Sequence, residues 1–197
     1  MSVGGRWPTV ATCRGRRYAS SGSAVINGLD HLDSLVLKLV GDEAVRDNGT
    51  HFKTQEFVDT AIVSLGVNMA NVIESLEVLA ANYYVDIHRT MGSGMSSMSS
   101  FTLMLGGVEA YLTACRTDYG LIQRTVIARL VDWSADQPAT ESALSKSVDA
   151  PRLIVDHVLN LLEQHNLLTL SGRTHGGQHH GRHFFNPSPK LRRMLAS

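Results

Sequence analysis

The chain has 197 residues, 43% of them hydrophobic, which is enough for one or two ordinary cores. Eighteen basic and eighteen acidic side chains cancel to a formal net charge of zero, so no global field draws the chain to a polyanion and any nucleic-acid surface must be local. Cys13 and Cys115 form no disulfide framework and no stretch is apolar enough to span a bilayer, which together fit a reducing, cytoplasmic setting without a membrane partner.

Residues 1–24 carry Arg6, Arg14, Arg16 and Arg17, and no acid precedes Asp30. That composition fits a disordered basic arm, a mitochondrial targeting segment, or an extension from a misassigned start. Glycines at 4, 5, 15 and 22 break any amphipathic pattern and favour disorder.

Residues 25–117 read as an all-helical dimerisation or sensing domain. Leu29, Leu32, Leu35, Val36 and Leu39 mark a first helix. Thr54 is placed to cap a second, which carries Phe57, Val58, Ala61, Ile62 and Leu65. Met69, Val72, Ile73, Leu76, Leu79, Ala80, Tyr83 and Ile87 repeat at three- and four-residue steps, which predicts a long third helix. Residues 92–100 follow as a Gly/Ser loop, and Leu103 to Cys115 as a fourth helix in which Gly106-Gly107 permits close contact. The apolar stripe on the third helix fits either a core or the seam of a homodimer.

Residues 118–197 show a different pattern. An apolar helix, LIQRTVIARLVDW, is followed by a short helix, TESALSKSV, and a third, PRLIVDHVLNLLEQHN. On a wheel of 100° per residue, Ile154, Val155, Val158, Leu159, Leu161 and Leu162 share one arc. Arg152, Asp156, His157, Asn160, Glu163 and Gln164 share the other, with Leu153 as the apolar intruder. Asp149 is a suitable N-cap, and Pro151 suits a first turn. Leu168-Thr169-Leu170 and His183-Phe184-Phe185 flank a Gly/His-rich stretch, as two strands of a hairpin would. KLRRML predicts a short terminal helix.

The segment TESALSKSVDAPRLIVDHVLNLLEQHNLLTLSGR resembles the MarR-type and related winged helix-turn-helix transcription regulators. The expected fold is therefore mainly α: a helical N-terminal domain and a C-terminal winged helix-turn-helix with a small β-hairpin. The resemblance implies a homodimer bound to double-stranded DNA, with residues 150–165 in the major groove and a basic wing over 171–185 on the backbone. The residues expected to touch DNA are Lys146, Arg152, His157, Asn160, Gln164, Arg173, Arg182 and Lys190. A small-molecule effector is compatible with that arrangement, and no cofactor is implied.

Three other readings stand beside it. A winged helix also serves as a non-enzymatic scaffold that binds protein, in an organelle if residues 1–18 are a presequence. His175, His179, His180 and His183 supply nitrogen ligands for a metal, but at no specific ligand spacing and with no nearby Cys, Asp or Glu. Catalysis has little to stand on, because the chain lacks a Walker A loop, GxGxxG, HExxH and CxxC.

Overall fold

Asp30 starts the first helix, its carboxylate accepting from the Asp33 N–H at 2.8 Å. That helix, α1 (His31–Asp47), opens a computed structural model that describes residues 26, 28–90, 98–133, 138–171 and 182–195. The molecule is mainly helical with small antiparallel sheets. Among the described residues, no single helix is long and apolar enough to cross a membrane.

After α1 come β1 (His51–Lys53), α2 (Thr54–Leu65), α3 (Met69–Ala81), β2 (Val85–Arg89), β3 (Met98–Leu103) and α4 (Leu105–Cys115). The region is thus not all-helical: β1, β3 and β2 form a three-stranded antiparallel sheet in that order. The long third helix predicted from the apolar stripe stops at Ala81. Asn82 caps it, Tyr83 turns into the left-handed region at φ 59°, and the Tyr84 N–H returns to the Leu79 carbonyl at 2.9 Å. This return satisfies a helix-end carbonyl and releases the chain into a strand. Met98 to Ser100, predicted as loop, pair with β2. Thr54 lies inside α2 rather than capping it, and its buried hydroxyl has no partner among the described residues.

The second half supplies α5 (Tyr119–Val131), α6 (Glu141–Val148), α7 (Arg152–Gln164), β4 (Thr169–Ser171), β5 (His183–Phe185) and α8 (Leu191–Met194). The hairpin and the terminal helix fall where the sequence places them. The capping residue differs. Asp149 ends α6 in the left-handed region at φ 50°, its N–H bonding the Ser145 carbonyl, while Pro151 precedes α7.

The two halves repeat one another in order and in register. The pairs Asp86↔Thr102, Ile87↔Phe101 and His88↔Ser100 recur, shifted by 83 positions, as Thr169↔Phe185, Leu170↔Phe184 and Ser171↔His183. Thr140, the residue before α6, bridges His183, the counterpart of Ser100, much as Lys53, the residue before α2, pairs with Ser100. α3 and α7 have matching bounds at the same shift, and buried Val72, Leu76 and Leu79 coincide with buried Val155, Leu159 and Leu162. Even the turn after the helix matches: Asn166 is left-handed at φ 54°, and the Leu167 N–H returns to Leu162 at 2.8 Å.

Close backbone approach fixes α4 against the turn after α3. A Cβ on Gly107 would lie 2.3 Å from the Tyr84 carbonyl oxygen, whereas one on Gly106 would find nothing nearer than 3.6 Å. Because that oxygen already accepts from the Met104 N–H at 2.9 Å, it has little freedom to move. Gly107→Ala is expected to destabilise by about 1–3 kcal/mol, as overpacking does. Gly106→Ala should be neutral or gain up to ~1 kcal/mol from helix propensity. Urea unfolding of the two variants checks this, and equal midpoints would contradict it.

Candidate nucleic-acid interface

The third helix of the second half, α7, is the candidate reader, so its polar flank decides the matter. Ile154, Val155, Val158, Leu159 and Leu162 are buried, as the wheel predicts. Leu161 is only half-buried. The opposite flank, which a major groove would need, is occupied: α7 also packs on α1 and α4 of the first half.

His157 is the clearest correction. Predicted on the exposed arc, it is 2% exposed. A carboxylate can only accept, so the ring hydrogen sits on Nε2, which donates to Glu109 Oε2 on α4. The Tyr119 hydroxyl donates to the same oxygen at 3.2 Å, and its ring lies 6.1 Å from that of His157. One carboxylate oxygen thus joins α4, α5 and α7. Nearby, the Leu153 N–H meets Asn48 Oδ1 at 3.4 Å. Leu153, the intruder on the wheel, belongs to this seam.

Arg152 and Arg182 are already paired. Arg152 Nε donates to Glu141 Oε1, whose side chain is 4% exposed. Arg182 Nη1 donates to Asp156 Oδ1 at 2.5 Å, and Asn160 Nδ2 to Asp156 Oδ2 at 3.2 Å. Burial pushes the Glu141 carboxyl above its usual range, and the Arg152 contact pulls it back. Removing Arg152 leaves the buried Glu141 carboxylate short of a partner, a costly outcome, whereas Asp156 is part-exposed and keeps its bond from Asn160. Asp156, which a phosphate would repel, is held by a cation of its own chain. Glu163 accepts the Leu170 N–H at 3.0 Å and anchors β4 to α7.

The remaining candidates scatter. Gln164, Lys146 and Lys190 are exposed on three different helix ends. Arg173, His175, His179 and His180 lie outside the described residues. His183 is exposed and stacks on Phe185 at 6.3 Å. Among the described residues, no group of three or more His, Cys, Asp or Glu is placed to hold a metal. The glutamate at 109 and the tyrosine at 119 escape sequence reasoning because 48 and 38 positions separate them from His157 and no motif links them.

No protein-family model matches the chain. Neither a curated protein nor a solved structure matches it.

Burial and then the Glu109 charge push the Tyr119 phenol well above its ordinary range near 10. Its proton is therefore held more tightly in the folded state, so stability is retained below about pH 10 and lost as pH rises above it. Each such tyrosine steepens the alkaline loss by at most ~1.4 kcal/mol per pH unit. Tyr111, which donates to Asp42 Oδ1 at 2.7 Å, behaves alike. Tyr119→Phe should flatten part of the slope between about pH 10 and 11, measured by urea midpoints. An unchanged slope would contradict the seam.

Proposed function

We propose that the chain is a non-enzymatic scaffold made of two winged-helix units in tandem, and that it binds protein rather than reading DNA bases. Each half has three helices followed by a hairpin, the order the sequence resemblance implies for a winged helix, and each also has a strand or bridge after its first helix. The second unit carries that resemblance in its residues; the first shares only its register and buried positions.

The observation that carries the reading is the seam on α7. The helix that would enter a major groove has His157 sealed against Glu109 and both neighbouring arginines neutralised by Glu141 and Asp156. The equivalent helix of the first unit offers no substitute. α3, MANVIESLEVLAA, bears Glu74 and Glu77 and no Lys or Arg. Phosphates repel such a surface, and most of the affinity of proteins for DNA comes from cations on phosphates.

Fluorescence anisotropy with a pool of random duplexes tests this directly. Only weak, sequence-independent binding is expected at physiological salt, with Kd no tighter than about 1 µM. Selection of a preferred duplex with nanomolar affinity, weakened by Asn160→Ala or Gln164→Ala, would overturn the scaffold reading and restore the regulator.

A further inference from the structure

The repeat makes a specific contact between copies legible. Within the chain, α7 of the second unit docks on α1 and α4 of the first through His157 and Glu109. By the shift of 83 positions, the counterpart of His157 is Glu74 on α3. The counterpart of Glu109 is Arg192 when buried Leu191 is matched to buried Val108, and Arg193 when the Ser188 N–H to Leu167 bond is matched to that of Met104 to Tyr84. Of the two, Arg192 is the one that lines the cleft between α5 and α8. Glu74 and Arg192 are exposed, and neither has an ion-pair partner among the described residues. Their charges are opposite, so the contact used inside the chain is available again, with a new pair, between chains.

The shapes agree with the charges. α3 leaves open the flank that α7 covers: Ala70, the counterpart of Leu153, is exposed, and neighbouring Met69 is 49% exposed. On the other side, the surface equivalent to α1 and α4 is made by α5 and α8. An open cleft of about 260 Å³ lies there, lined by Leu130, Val131, Pro187, Leu191 and Arg192. Lys190 and Arg193 add exposed cations beside it. An acidic helix flank with an apolar end on one copy thus suits a mixed apolar and polar cleft with a basic rim on another.

We infer that two copies of this chain associate head to tail, the open flank of α3 on one copy seating in the α5–α8 cleft of the next, with Glu74 meeting Arg192. The contact joins different surfaces, so it extends into a chain of copies unless the rotation between them closes a ring. It does not depend on the scaffold reading, because neither surface includes the flank of α7.

Light scattering with size exclusion on the full chain reads the mass against protein concentration. For the unaltered chain the mass should rise from monomer toward higher species from micromolar to near-millimolar protein, and fall back as salt screens the pair. Glu74→Arg and Arg192→Glu should each remain monomeric, with melting temperatures unchanged because both positions are exposed. Mixing the two variants, or combining both substitutions in one chain, should restore association, since every α3–cleft contact then joins opposite charges. A chain that stays monomeric throughout at low salt would overturn the inference. So would association that survives either single reversal, or a mixture that fails to regain mass.

Discussion

A single carboxylate oxygen joins the two halves of this molecule. Glu109 Oε2 takes a hydrogen from His157 on α7 and another from Tyr119 on α5, and so ties the second unit to the first. Opening the seam breaks both hydrogen bonds, a net cost of about 0.5–1.5 kcal/mol each and more where charge is involved, and uncovers the buried ring of His157. The contact is therefore expensive to open, and while it stays closed the flank of α7 faces protein. The arginines beside it complete the arrangement. A reader of bases keeps its cations free for phosphate, whereas Arg152 and Arg182 are held by Glu141 and Asp156.

The repetition separates fold from surface. Val72, Leu76, Leu79 and Phe101 have the same residue types at the equivalent buried positions, namely Val155, Leu159, Leu162 and Phe184. These set how the third helix and the hairpin pack in each unit. The exposed flank follows a different rule in each. It carries Glu74 where the helix is open and His157 where it is covered. Two copies of one packing scheme thus present one surface inward and one outward.

Much of the second half was legible in the sequence, and the reasons are local. The apolar arc of α7 and the paired strands around Leu170 and Phe184 follow from residue spacing and turn chemistry. The first half misled for equally local reasons. Tyr83 and Ile87 extend the helical stripe of α3 by coincidence, and the break comes at Asn82-Tyr83, where no glycine or proline announces it. Strand β3 follows a Gly/Ser-rich stretch that reads as loop. What no local rule could reach was the seam itself. A histidine on a polar arc looks exposed until a distant glutamate is folded against it. The repeat was hidden similarly, because it is carried by a handful of buried positions and by strand register rather than by matching surface residues.

The central claim is that α7 rests on the first unit in solution, and a proximity measurement addresses it most directly. Asn48 and Leu153 meet at the seam and belong to different units. With Cys13 and Cys115 replaced by serine, an Asn48→Cys/Leu153→Cys pair treated with a short bifunctional thiol reagent should be bridged rapidly within the native monomer. Rapid bridging should be lost when the reagent is added in urea, and should proceed at the same rate in the presence of excess duplex DNA. Failure of the native pair to be bridged, or protection of the pair by DNA, would show α7 free to leave the first unit and would contradict the account.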